Sequence, residues 1–170
     1  MIKPEALFAN PARRTTIDAP LEHLMACHRR IEERLETLER AAAHLEDRTE
    51  EALGAFRSAF AFLDSSGALH TADEEESLFP RLMAALERGE RAYLAGLEHD
   101  HTEAHRIYTE LKLSLDRPAQ ARHLVERLCA LYRAHIASED EVLQEYARVH
   151  LTPEQLAEIA REMKDRRGLD

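Results

Sequence analysis

The chain has 170 residues, of which 44% are hydrophobic and 33% charged, and this length is enough for one domain with a buried core. Its net charge is −10, and because a phosphate backbone repels an acidic surface, we expect no nucleic-acid partner. No apolar run approaches the roughly 18 residues of a membrane span, so a cytoplasmic protein without membrane contact is expected. Glycine is rare and Ala, Leu, Glu and Arg are common, which is typical of an all-α protein.

Helix-starting and helix-breaking residues divide the chain into predicted helices. Residues 1–17 lack a helical pattern and are predicted to form an N-terminal arm. The predicted helices, in chain order, cover residues 18–47, 49–86, 91–115, 119–149 and a short stretch from 152 to just before 168. The fold expected is an up-down-up-down four-helix bundle over residues 18–149, followed by a short C-terminal fifth helix and tail over residues 150–170.

Three local signals set the limits of the second predicted helix. Thr49 is expected to cap its start, because a threonine side chain can accept a hydrogen bond from a free backbone N–H. The Ser-Ser-Gly sequence at residues 65–67 is expected to interrupt it, and Pro80 to bend it. Gly89 is expected to separate it from the third helix.

The apolar residues of the four long helices recur at alternating spacings of three and four, the pattern of a packed helix face. Each of these faces is apolar except where a histidine enters it, and two of them carry a glutamate four residues later. The residues concerned are His28, His70, Glu74, His101, His135 and Glu139. Because residues four apart share one helix face, these side chains are predicted to meet in the bundle core. A seventh candidate, His105, follows His101 by four residues.

Buried histidines and carboxylates in one place indicate a metal site. A single histidine on an apolar face is more often a satisfied core residue, but four interrupted faces are hard to explain in that way. A buried ionised carboxylate is costly unless it is paired or binds a cation. The nitrogen and oxygen donors suit iron or manganese, although imidazole also accepts zinc and copper. The remaining histidines are predicted to lie on the surface, namely His23, His44, His99, His123 and His150.

Four segments of the chain together resemble the hemerythrin-like, or HHE cation-binding, domain. They are residues 24–31, 70–80, 97–101 and 132–139, and the resemblance extends from about Pro20 to Ala147. It implies a four-helix bundle with two non-haem iron ions bridged by carboxylates and by an oxo or hydroxo group. By position, it implies histidine ligands at residues 28, 70, 101 and 135 and bridging carboxylates at residues 74 and 139.

Two positions differ between patterns within this family. Oxygen-carrying hemerythrins have an H-x-x-x-H pair that His105 would complete, whereas many HHE domains have another residue there. The oxygen carriers also use H-x-x-x-x-D on the last helix, which would select Asp140 here. The apolar face favours Glu139, because five residues rotate Asp140 by about 140° from His135 on an ideal helix. If His105 also ligates, a count over two six-coordinate metals leaves one open position.

The leading functional prediction is a protein that binds O2, NO or peroxide at a di-iron site for sensing, storage or protection. One alternative is a di-iron enzyme that reduces peroxide or NO or repairs iron centres. Another is a helical interaction module stabilised by zinc or by no metal. A ferritin-like oxidase would need a second Glu-x-x-His motif beside Glu98 and His101. No catalytic residue and no organic cofactor is predicted. The partners expected are the small ligand and, as a possible assembly, a second copy in a homodimer.

Overall fold

The computed structural model describes residues 17–169, so all but the last residue of the predicted N-terminal arm lies outside the described residues. Within the described range the regular structure is helical and contains no strand, which confirms the all-α prediction. The helical elements are α1 (Pro20–Ala43), α2 (Thr49–Phe62), π1 (Leu63–Gly67), α3 (Ala68–Ala72), π2 (Asp73–Leu78), α4 (Phe79–Ala85), α5 (Arg88–Lys112), α6 (Pro118–Ser138), π3 (Glu139–Leu143), α7 (Gln144–His150) and α8 (Pro153–Asp165).

The predicted interruption at residues 65–67 is confirmed for the α-helical hydrogen bonding, since α2 ends at Phe62 and an α-helix resumes only at Ala68. These residues belong to π1, and the backbone continues from α2 to α4 without leaving the helical region. A π-helical turn adds a residue to the turn and continues the helix in a new register. The hydroxyl of Ser65 donates to the carbonyl of Ala61 at 2.6 Å, so this serine is accommodated within the helix. Pro80 is the second residue of α4 and follows π2 directly, so it lies within the continuous helix and has no N–H to donate to the preceding turn.

Other helix ends differ from prediction in detail. Thr49 is already the first residue of α2, and its hydroxyl donates to the carbonyl of Leu45 at 2.8 Å and does not cap the helix. Gly89 lies inside α5, because a capping box between Glu87 and Glu90 starts that helix earlier than expected. The predicted start of the short last helix is confirmed, since the backbone N–H of Gln155 donates to the Thr152 hydroxyl at 3.2 Å.

The apolar interior is divided into two clusters. The larger apolar cluster includes Ile31, Leu35, Phe56, Leu111, Leu124 and Ile136. The smaller apolar cluster includes Leu24, Leu78, Phe79, Leu97, Leu143 and Met163. Helix α1 packs against α2 and α6, α5 packs against α6, and α8 packs against π2 and α1. Among the described helices, none combines the length and the apolar character that a membrane span requires.

The boundary between the two clusters falls at the predicted metal ligands. On α1, His28 lies between Leu24 of the smaller cluster and Ile31 of the larger one. On α5, His101 lies between Leu97 and Ala104 in the same order. The helical bundle therefore carries one polar layer between two apolar regions.

Candidate metal centre

Six of the seven predicted ligands converge in this polar layer. Among the described residues they form two groups, whose possible ligand atoms lie within 4.8 Å of one another. One group contains His28 and His70, and the other contains His101 and His135. Glu74 and Glu139 belong to both groups. The arrangement offers each of two cations two imidazoles and a share of two carboxylates.

The two oxygens of Glu74 face different groups. Its Oε1 lies 3.2 Å from Nε2 of His70 and 3.7 Å from Nε2 of His28. Its Oε2 lies 3.4 Å from Nε2 of His101, which belongs to the other group.

The Glu139 carboxylate is divided in the same way. Its Oε2 lies 3.2 Å from Nε2 of His28, and its Oε1 lies 3.1 Å from Nε2 of His135. Each glutamate thus presents one oxygen to each group, which is the disposition of a bridging ligand.

The donor atoms of this layer are buried and lack hydrogen bonds. Glu74 is 0% exposed and Glu139 1% exposed. Within the described part of the chain, all four of their carboxylate oxygens are buried without a hydrogen-bond partner, as are Nε2 of His28 and Nε2 of His135. Buried polar atoms are almost always satisfied, and leaving carboxylates unsatisfied is costly. Cations between the two groups would satisfy these atoms, so the residues present fit a metal centre.

Three of the four histidines are oriented by a carboxylate at their outer nitrogen. Nδ1 of His28 lies 2.7 Å from Oδ1 of Asp140. The corresponding contacts are 2.9 Å from His101 to Glu75 and 3.5 Å from His135 to Asp100. Such partners hold Nδ1–H and turn the Nε2 lone pair towards a metal. Nδ1 of His70 is buried and has no hydrogen-bond partner among the described residues.

The choice between Glu139 and Asp140 is also visible in the structure. Glu139 is a member of both groups, whereas Asp140 lies outside them and contacts His28 and Arg29. The H-x-x-x-E spacing therefore predicts the residue that lies in the polar layer, Glu139. The neighbouring Asp140 contacts the outer nitrogen of His28 instead. No feature of the sequence indicated that supporting contact, because 112 positions separate His28 from Asp140.

Both glutamates lie in π-helical turns. Glu74 is the second residue of π2, and Glu139 is the first residue of π3. Turns of this kind occur frequently at functional sites. Directly after π2, the ring of Phe79 stacks on His101 with a centroid distance of 5.9 Å and an interplanar angle of 9°. The two carboxylates are therefore carried by locally widened helix that the sequence pattern did not reveal.

The structure does not bring His105 to the polar layer. Its side chain is exposed on α5, and it belongs to neither group. The buried position in this turn is taken by Ala104, and adjacent helical residues point about 100° apart. With four imidazoles in place of five, the ligand count leaves more than the single open position expected.

One of the histidines predicted to lie on the surface is buried. His23 is 7% exposed, and its Nε2 lies 3.7 Å from Sγ of Cys27, one turn further along α1. His44, His99 and His123 are exposed as predicted, and His150 is half-buried. The last helix, α8, also packs against α1, a contact that the residue spacing on α1 did not indicate.

The ionisable side chains of this layer have pKa values shifted by burial and by one another. Burial disfavours the His28 imidazolium, but contacts with Glu139 and Glu74 outweigh burial and raise the pKa of His28 to about 11. Burial, together with repulsion from Glu139, raises the pKa of Glu74. Burial also opposes ionisation of Glu139, but contacts with His135 and His28 lower its pKa. Burial and repulsion from His28 place the pKa of His70 well below its ordinary value.

Removing the Asp140 carboxylate tests how far these outer contacts matter. Because Asp140 orients His28, we expect Asp140→Ala to weaken cation binding by about 10- to 100-fold with little loss of fold. The measurement is competition between protein and a chelator of known affinity. Glu141→Ala, at an exposed neighbouring position, is the matched control. Equal affinities for the two variants would show that Asp140 does not support the centre.

Comparison with known proteins points in one direction. The family model described as Hemerythrin HHE cation binding domain matches residues 19–147, a range that contains both groups. A protein of Haemophilus influenzae (strain ATCC 51907 / DSM 11121 / KW20 / Rd), described as uncharacterized, is 28% identical over 165 residues. That alignment covers 92% of this chain and 95% of the relative. The match ends before α8, which begins at Pro153.

Proposed function

Since this chain belongs to the hemerythrin HHE cation-binding domain family, we propose that it holds two iron ions and binds O2, NO or peroxide for sensing, storage or protection. The observation that carries the proposal is the division of the carboxylates, because Glu74 and Glu139 each face both groups. The up-down-up-down order of the long helices is part of the same proposal. It is supported by the short connections between α1 and α2, α4 and α5, and α5 and α6.

The four histidines would bind the two cations in pairs. His28 and His70 would hold one cation, and His101 and His135 the other. The donor set contains nitrogen and oxygen without thiolate, which suits iron. Bound iron would supply reversible redox chemistry and coordination positions that the protein leaves free for a small ligand. The apolar clusters on either side keep bulk water from the layer. In such surroundings the attraction between the carboxylates and a bound cation is stronger than in water.

The exposure of His105 favours one alternative within the same class. Without that imidazole, each group offers two histidines and two shared carboxylates, fewer than six ligands per cation. More free positions make redox turnover easier than in a carrier with a single vacancy. Reduction of peroxide or NO is therefore the second candidate function.

Metal analysis and spectroscopy test the proposal directly. We expect two iron ions per chain after anaerobic loading, matching the two groups. The absorption spectrum of the reduced protein should change on addition of O2, NO or peroxide, one equivalent at a time. A signal that saturates supports binding, whereas continued peroxide or NO consumption with a reductant supports the enzyme alternative. Stoichiometric zinc in place of iron, or a spectrum unchanged by every ligand, would contradict both.

A further inference from the structure

A third buried carboxylate lies next to Glu74 in the chain and belongs to neither group of possible ligands. Asp73 precedes Glu74 in π2 and is 0% exposed. Two arginines from the end of the chain pair with it. Nη1 of Arg166 lies 3.0 Å from its Oδ1, and Nη2 of Arg167 lies 2.6 Å from its Oδ2. A second contact of 3.0 Å joins Nη1 of Arg167 to Oδ1. The Asp73 charge is thus matched by two guanidinium groups.

The same arginines contact other residues of π2 and their own helix. Nη2 of Arg166 donates to the Ser77 hydroxyl at 2.7 Å, and its Nε donates to Glu76 at 3.0 Å. Nη1 of Arg167 donates to the carbonyl of Met163 at 2.7 Å, which ties this side chain back to α8. The Arg166 guanidinium therefore contacts both the first residue of π2 and later residues of the same turn. The Arg167 guanidinium links Asp73 to α8.

The position of α8 fixes where these arginines emerge. Ile159 and Met163 are buried in the smaller apolar cluster, which seats the helix against the bundle. Gly168, with a φ of 61°, closes the turn that follows α8, directly after the two arginines. Both guanidiniums are largely covered, with exposed side-chain fractions of 17% and 14%. Charge-assisted hydrogen bonds in such surroundings are stronger and more directional than at an open surface.

We infer that Arg166 and Arg167 are positioning residues of the metal centre, which hold π2 through Asp73 and so keep Glu74 aimed at both groups. A π-helical turn competes with the ordinary α-helical register, and a shift of register would swing Glu74 away from one of the groups. We call the ion pairs of Arg166 and Arg167 with Asp73 the arginine clamp. Asp73 and Glu74 are adjacent in π2 and their side chains point about 100° apart, so a clamp that fixes Asp73 also limits the rotation of Glu74 without touching it. The inference rests on the proposed metal binding. It concerns residues beyond the segment that the family model matches.

The test compares the rate of cation release among variants. Two variants weaken the clamp while retaining most of the packing: the double variant Arg166→Lys/Arg167→Lys and the near-isosteric Asp73→Asn. The matched control is Asp18→Asn, which weakens the ion pair between Asp18 and Lys164 of the same helix but leaves the contacts of Asp73 and Ser77 in place. Each protein is loaded with Co2+, whose visible spectrum reports its ligand geometry, and release to excess chelator is followed.

We expect release to be about 10- to 100-fold faster in both clamp variants, and the Co2+ spectrum to change, as for loss of an outer contact of a metal site. The control should keep the wild-type rate and spectrum, even where its metal-free unfolding temperature falls as much as theirs. Release rates that follow unfolding temperature alone, or that match wild type in both clamp variants, would overturn the inference. Wild-type protein that binds no Co2+ would instead overturn the proposed function.

Discussion

Glu74→Gln is expected to abolish stable binding of both cations. The amide keeps the shape of the side chain but loses the charge that faces both groups. In the wild type, cation at about one hundred times its dissociation constant should stabilise the fold by about 2.7 kcal/mol for each site, or about 5.4 kcal/mol for two. For a domain of this size the two together correspond to a rise of about 10 to 20 °C in unfolding temperature. In the variant, added cation should produce no rise.

The stability of the metal-free variant at different pH values gives a second test of the Glu74 assignment. Because burial and Glu139 already raise the pKa of Glu74, the neutral amide should cost little near neutral pH. The amide also removes one of the two carboxylates that raise the pKa of His28, so the metal-free variant should lose less stability than the wild type as pH rises. His105→Ala and His44→Ala, at exposed positions, should load and unfold like wild type. Full loading of Glu74→Gln, or equal losses in all three variants, would contradict the assignment of Glu74.

The stabilisation produced by the cations should grow as pH rises from about 7 to about 9. The raised pKa of His28 means that its imidazolium contributes stability fully below the ordinary value of 6.5 and loses it as pH rises towards about 11. The raised pKa of Glu74 acts in the same direction, so the metal-free protein weakens with rising pH. The lowered pKa of Glu139 matters only in acid, below its ordinary value of 4.5. The loaded protein needs the deprotonated ligands and does not share this loss.

Two measurements examine this pH dependence. Unfolding temperatures of metal-free and Co2+-loaded protein, taken at several values across that range, should diverge as pH rises. Loading near neutral pH in weak buffer should release protons from His28 and Glu74, which an indicator dye can count. A constant gap between the two unfolding curves, together with no proton release, would show that cations do not displace protons from this layer.

The residues of the polar layer were predictable because they interrupt otherwise regular apolar faces. His70 and Glu74, and likewise His135 and Glu139, share a face at a spacing of four, and the structure places all of them in the layer. The exposed position of His105 was not predictable from that spacing. It differs from buried Ala104 by one residue, and the exact rotation of α5 decides which of them turns inward.

Features that depend on contacts between distant parts of the chain left no local pattern. The turns π2 and π3 contain neither glycine nor proline, so their wider hydrogen bonding could not be read from the sequence pattern. Residues 73–76 are all acidic, a composition typical of a solvated helix face, and only Glu74 follows a histidine of an apolar face by four residues. Asp73 is buried as well, and its side chain pairs with Arg166. This partner lies 93 positions further along the chain, so no local pattern indicated the contact.

The division of the interior into two apolar clusters bears on cooperativity. A bundle with one continuous core unfolds as a unit, but in the described part of this chain the buried apolar residues form two separate clusters with the polar layer between them. In the metal-free protein, amide hydrogens around the smaller cluster, in α4 and α8, should exchange through a partial opening that leaves the larger cluster intact. Cations held by the histidines of both groups and by Glu74 and Glu139 would fix the polar layer between the clusters, so that exchange in both requires global unfolding. Metal occupancy would then set how many independent folding units this single chain contains.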